Sequence, residues 1–211
     1  AIVCILLLSL VVYGGYSIST HGSRWFSSGA NNYLRRARAN VTAGTIFDRH
    51  SVVLAQTMPD GTRQYHRDAE TRKAMVHAVG DSANNVAYGA ESFMANYLYA
   101  FNDSYLERLV QAFRGQPRRG NDIRLTLDSA LSLKAYQLFP REKAGAVVVM
   151  NYRTGELLAL QSYPTFDPMA VTPEVKERVD SPFWNRVTKW VSAPGSTFKV
   201  ITLAAAMQAM P

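Results

Sequence analysis

At 211 residues and 47% hydrophobic composition, the chain is long enough to bury one core and a smaller module. A single cysteine, Cys4, excludes a disulfide framework within the chain, and His21, His50, His66 and His77 lack metal-ligand spacing, so no metal and no cofactor are expected. The net charge of +7 gathers in Leu34–Arg38 and Pro117–Gly120 without interleaved aromatic residues or a reading module. Nucleic acid is therefore excluded as a partner, and a solvated surface facing anionic lipid or wall polymer is expected.

Ala1 to Tyr13 is apolar and uncharged, shorter than the roughly twenty residues that span a bilayer. It reads as a transmembrane anchor over residues 1–17, truncated at its start, with a signal-peptide hydrophobic region as the competing reading. Cys4 reads as a membrane-buried hydrophobe rather than a lipidation site. Ser17 to Gly29 is predicted to be a polar tether, and Asn31 to Ala39 a brief helix. Gly44–Asp48 and Val52–Gln56 are predicted to form a hairpin turned through Arg49-His50-Ser51. Asp48-Arg49 reads either as a functional pair or as a turn-forming Asp beside a solvated Arg.

Helices are predicted over Arg67–Val79, with His77 structural, and over Ala90–Ala100, where Phe93, Met94, Tyr97, Tyr99 and Phe101 are expected in the core. Leu106 to Phe113 continues as a helix. The Gly/Pro/Arg run over 114–121 is the predicted boundary between a small domain, 18–120, and a second one, 121–211. Beyond it, Ile123–Leu127 is strand-like, and Asp128 is predicted to cap a helix from Ser129 to Phe139 stopped by Pro140. Ala146–Met150 and Glu156–Ser162 form a predicted antiparallel pair whose continuous apolar character implies strands covered on both faces. Pro164, Pro168 and Pro173 punctuate a loop expected to rim a cleft. The mixture of elements places the chain in the α/β (α+β) class.

Near the end of the chain, Pro194-Gly195 supplies a turn ahead of Ser196-Thr197-Phe198-Lys199 and the apolar run Val200–Met207. A helix apolar on nearly every face is predicted to be a buried core helix. Residues three apart share a helix face, so the Lys199 amine can reach the Ser196 hydroxyl, and apolar surroundings there would favour the neutral amine that acts as a base. The helix N-terminus would favour an oxyanion beside the nucleophile. The bland alternative is a solvated Lys199 beside a capping Ser196.

Asn185-Arg186 followed by Pro194-Gly195-Ser196-Thr197-Phe198-Lys199 resembles the active-site entry of class B penicillin-binding proteins. Upstream, Gly145–Met150 with Thr154–Leu160 resembles the family's opening transpeptidase hairpin, and Ser162–Pro168 the segment that follows. Leu125-Thr126-Leu127-Asp128 is similar to its lead-in helix, and Gly44–Arg49 with Leu54-Ala55 to its juxtamembrane motif. The resemblance implies a membrane anchor, a pedestal and the start of a serine transpeptidase/β-lactamase-like domain.

It also implies an activity: D,D-transpeptidation of peptidoglycan stem peptides, with Ser196 as nucleophile, Lys199 as general base and β-lactams acylating the same serine. A polytopic glycosyltransferase is the implied membrane partner. The implied location is a single-pass membrane protein with its bulk outside the cytoplasm. Two departures stand out. The stretch up to Pro211 carries neither the Ser-x-Asn nor the Lys-Thr-Gly motif that the family places downstream, so this portion is expected to be inactive alone. Ser192 stands where many members carry an aromatic residue. A non-catalytic scaffold or β-lactam sensor is the alternative reading, and a serine β-lactamase is disfavoured by the anchored pedestal.

Overall fold

The computed structural model describes residues 2–26, 41–86, 88–104, 109–110, 113, 115 and 118–209, with the side chains of 23–26 left aside. Helix α1 spans Ile2–Phe26, and within it Ile2–Gly22 is 21 residues long and apolar enough to cross a membrane. The predicted tether is therefore helical through Phe26. Thr20 explains part of this, since its hydroxyl donates to the Tyr16 carbonyl at 2.9 Å and needs no non-helical backbone partner. The helix predicted over Asn31–Ala39 and most of Leu106–Phe113 lie outside the described residues.

The first sheet has the order β3-β2-β1-β4, built from Arg63–Tyr65 (β3), Val53–Thr57 (β2), Ile46–Phe47 (β1) and Ile123–Arg124 (β4). Strands β1, β2 and β3 run antiparallel, with Ile46 opposite Ala55 and Ala55 opposite Tyr65, whereas β4 lies parallel to β1. β4 begins just past the Gly/Pro/Arg run, so the chain returns to the first sheet before the second region starts. Gly120 makes that return possible: a Cβ there would sit 1.7 Å from the Leu98 carbonyl oxygen.

Asp48 shows why the hairpin turns where predicted. Its carboxylate accepts from the His50 and Val52 backbone N–H groups at 2.8 Å each, and from the Ser129 hydroxyl at 2.6 Å. Of the two readings offered by the sequence, the turn-forming one holds, and the same buried carboxylate also ties the hairpin to the helix that starts at Ser129. Burial alone would raise this carboxyl. The Ser129 hydroxyl and the surrounding backbone N–H groups outweigh that and hold it below the usual carboxylate range.

Asp48→Asn should cost about 1.5–3 kcal/mol at neutral pH, the worth of hydrogen bonds to a charged group. Because the folded value is the lower one, the contribution is complete above the unfolded value of about 4 and is lost as pH falls through the folded value. Wild type and variant should therefore converge in urea midpoint on the acid side, and parallel curves down to the lowest accessible pH would contradict this account.

Helix α2, Ala69–Val79, starts at Asp68, whose side chain accepts from the Thr71 N–H at 2.7 Å, and ends at Gly80. The single helix predicted over Ala90–Ala100 is two short ones, α3 (Ala90–Phe93) and α4 (Ala95–Leu98). Of its aromatic residues, Tyr99 is buried and stacks on Phe101 at 5.9 Å, while Phe93 and Tyr97 face solvent, so only part of the predicted cluster is core. Helix α5, Ser129–Leu138, is capped by Asp128 through the Leu131 N–H at 3.0 Å.

Strands β5 (Gly145–Met150) and β6 (Leu157–Tyr163) form the predicted antiparallel pair, in register from Gly145–Tyr163 to Val149–Ala159, with a shift before Met150 pairs with Leu157. They are not covered on both faces: Ala146, Val148 and Met150 point outward in alternation, as in a sheet packed on one side. The covered side meets α5 and α2. The main core joins Ile46, Leu54, Met75, Val79, Leu98 and Ile123, and Leu157 and Leu160 of β6 pack against it, so the two regions share one apolar interior.

Candidate active site

β6 and α2 position the approach to Ser196. Helix α6 spans Pro173–Lys176, and Asn185 caps helix α7, Arg186–Lys189. Its Oδ1 accepts from the Val187 N–H at 3.1 Å and its Nδ2 donates to the His77 carbonyl at 3.1 Å, with the side chain buried. Ser162 on β6 donates to the Trp184 carbonyl at 3.0 Å and accepts from the Arg186 N–H at 2.9 Å. The Arg186 guanidinium lies over the Trp184 ring at 5.2 Å and donates to the Asp180 carbonyl at 2.8 Å. Asn185 and Ser162 thus fix where α7 leaves the sheet, a role the sequence reading did not assign to either.

The loop from Tyr163 is held from the far side. Arg72 of α2 grips Asp167 in a two-point pair, Nε to Oδ1 at 2.8 Å and Nη2 to Oδ2 at 2.6 Å. Burial would raise the Asp167 carboxyl, and the Arg72 hydrogen bond, the Met169 backbone N–H and the charges of Arg72 and Lys73 together outweigh this, leaving it below the usual range. Arg72 was invisible in the sequence, because its partner lies 95 residues away.

Past α7 the chain runs through Trp190 to Pro194. Gly195 adopts φ +56°, a left-handed turn that suits glycine, and a 3-10 helix over Gly195–Phe198 follows. Helix α8, Lys199–Ala209, continues it. Ser196 therefore stands on a 3-10 turn rather than inside an α-helix. In that geometry residues three apart eclipse, which puts Ser196 and Lys199 on the same side more directly than α-helical spacing does. The Thr197 hydroxyl is turned back to the Pro194 carbonyl, away from this pair.

The predicted burial is corrected. Residues 190–205 are exposed, and the large side chains Phe198, Val200, Ile201 and Leu203 retain half or more of their surface. Among the described residues the main packing of α8 is on the 3-10 turn that leads into it. Neither the Ser196 hydroxyl nor the Lys199 amine makes a side-chain hydrogen bond among the described residues. His77 is structural as predicted, buried against Phe166 in an edge-on contact at 6.2 Å. No three His, Cys, Asp or Glu side chains gather as a metal site among the described residues.

Residues 145–210 match the family described as the penicillin binding protein transpeptidase domain. Among curated relatives, the peptidoglycan D,D-transpeptidase MrdA of Acinetobacter baumannii is 38% identical over 105 residues, 46% of this chain and 16% of that protein. The peptidoglycan D,D-transpeptidase PbpA of Mycobacterium tuberculosis is 34% identical over 117 residues, 48% of this chain and 24% of that protein. The chain thus spans about a sixth to a quarter of these relatives' length.

In structure, penicillin-binding protein A from M. tuberculosis as its imipenem acyl-enzyme complex superposes with a TM-score of 0.67 at 26% identity, covering 82% of this chain and 44% of that one. Pseudomonas aeruginosa PBP2 gives 0.62 at 28% identity, covering 81% and 40%. The hairpin of β5 and β6 and the Ser196–Lys199 turn fall together within residues 145–210, and that stretch is similar to the transpeptidase domain of the penicillin-binding proteins.

Proposed function

We propose that this chain is the membrane-proximal, nucleophile-bearing part of a peptidoglycan D,D-transpeptidase. One observation carries the reading: Ser196 stands on the 3-10 turn at the head of α8, three residues before Lys199 at the first position of that helix, within the matched residues 145–210. In the proposed reaction, Ser196 Oγ attacks the carbonyl carbon of the penultimate D-Ala of a stem peptide while Lys199 Nζ takes the hydroxyl proton. The C–N bond to the terminal D-Ala breaks, and the leaving nitrogen departs with that proton. An amine of a neighbouring strand then attacks the acyl ester, and its proton returns to Ser196 through Lys199.

The Ser196 N–H lies in the first helical turn, where intrahelical acceptors are lacking, and the positive end of the eleven-residue α8 favours the oxyanion beside it. β-Lactams acylate the same serine in this reading, which the acyl-enzyme complexes of the M. tuberculosis neighbour support. Helix α1 supports a single-pass anchor, and the family resemblance implies the rest of the chain on the outer face of the membrane and a polytopic glycosyltransferase as partner.

The test is intact-protein mass on the whole gene product that carries this chain, after incubation with penicillin. One penicilloyl adduct is expected on wild type and none on Ser196→Ala. An adduct of equal yield on the alanine variant would remove Ser196 from its role.

A further inference from the structure

Building on the transpeptidase reading, we infer that Asn185 is a positioning residue for the nucleophile, its carboxamide joining the end of α2 to the start of α7 and so setting where the Ser196 turn begins. Asn185 is the last buried residue before Ser196: every position from Arg186 to Gly195 is half-buried or exposed. Only the four residues of α7 and the stretch Trp190 to Pro194 separate it from the nucleophile turn.

Both helix ends need what this amide supplies. Helix α2 ends at Val79, and a helix leaves its last four carbonyls without intrahelical donors. The Gly80 N–H serves the Val76 carbonyl at 2.7 Å, and Asn185 Nδ2 serves the His77 carbonyl at 3.1 Å. Helix α7 has the opposite need at its first turn, met by Asn185 Oδ1, which accepts from the Val187 N–H at 3.1 Å. The two partners allow one orientation of the amide, because turning it over would set oxygen against oxygen and N–H against N–H.

An ionised carboxylate at this position could still cap α7, but it has nothing to donate to a carbonyl. Helix α7 packs on β5 and β6, and the amide fixes its start against α2. A shift there moves the segment that carries Ser196. Misplacing reacting groups by about 1 Å costs on the order of a hundredfold in rate, even when the change lies away from the chemistry.

The test follows penicilloylation of the intact gene product by stopped flow, wild type beside Asn185→Asp, with Ser196→Ala as the blank. At neutral pH the acylation rate constant of Asn185→Asp should fall about ten- to a hundredfold, with the affinity of the preceding non-covalent complex unchanged. On acidification the introduced carboxyl takes up a proton and regains a donor for the His77 carbonyl. The ratio of variant to wild-type rate constants should therefore climb toward one as pH falls. Asn185→Ser, shorter and uncharged, should show the loss without that recovery, and it serves in place of the charged variant if the latter does not fold.

A purely structural role would lower the melting temperature yet leave the folded protein's rate constant and pH profile level with wild type, and that result would overturn the inference. Amide hydrogen exchange separates it from the transpeptidase reading. The Thr197 and Lys199 N–H groups, which donate to the Pro194 and Ser196 carbonyls, should exchange about tenfold faster in either variant whether or not penicillin reacts. Unchanged exchange there would overturn the positioning role. A missing adduct on wild type would strike the transpeptidase reading alone and leave the exchange rates to decide this one.

Discussion

Lys199→Arg in the intact protein should slow penicilloylation of Ser196 by roughly a hundred- to ten-thousandfold, the span that one general base contributes. Arginine keeps the length and charge of the side chain, but its guanidinium does not give up a proton and cannot serve as the base. The fold should survive, because what Lys199 gives the 3-10 turn is its backbone N–H, donated to the Ser196 and Thr197 carbonyls. The side chain itself is exposed. Stopped-flow acylation beside a thermal melt checks both halves. Acylation within a fewfold of wild type, at an unchanged melting point, would move the base role away from Lys199.

Glu91→Ala should destabilise the pedestal by about 3–5 kcal/mol, the cost of leaving one member of a buried ion pair alone. Glu91 on α3 is fully buried and Arg63 on β3 nearly so, with Nε donating to Oε1 at 2.7 Å. The Tyr99 hydroxyl donates to the other carboxylate oxygen at 3.1 Å, and Arg63 Nη1 donates to the Gly44 carbonyl at 2.7 Å. Removing the carboxylate leaves a guanidinium in the interior, held only by neutral acceptors. Replacing both partners, Arg63→Met with Glu91→Leu, should recover most of the loss, since a well-packed apolar pair substitutes for a buried ionic one at little cost. A double-mutant cycle by hydrogen exchange of the α2 and α3 amides measures this. Additive effects of the two single changes would show that the pair is not the source.

Much of the fold was legible because its signals are local. Asp128 stands immediately before a helix and accepts from an N–H three residues on, so that start could be read directly, whereas Asp68 does the same for α2 and the predicted start at Arg67 fell two residues early. The β5–β6 pair was legible from the β-branched run of β5 and the apolar run that opens β6, on either side of a Gly155 turn. The Ser196–Lys199 spacing was legible too, although the 3-10 turn that eclipses the two residues was not. What stayed hidden depends on distance along the chain or on what covers a surface. Arg63–Glu91 and Arg72–Asp167 are 28 and 95 residues apart, and no periodicity announces such pairs. Apolar residues all round α8 and along β5 state that these surfaces suit burial, but sequence pattern does not say which element supplies the cover.

The parallel pairing of β4 with β1 bears on how the protein can be trimmed for study. The Gly/Pro/Arg run before β4 looks like a convenient place to cut the Ser196-bearing region free of the apolar N-terminal helix. A cut there would take β4 away from the strand it hydrogen-bonds, Ser129 away from Asp48 and Asp167 away from Arg72. It would also open the shared interior of Leu157 and Leu160 to water. A truncation that begins ahead of Val41 removes the apolar N-terminal helix and keeps all four contacts, and it is the safer design for crystallisation and inhibitor screening.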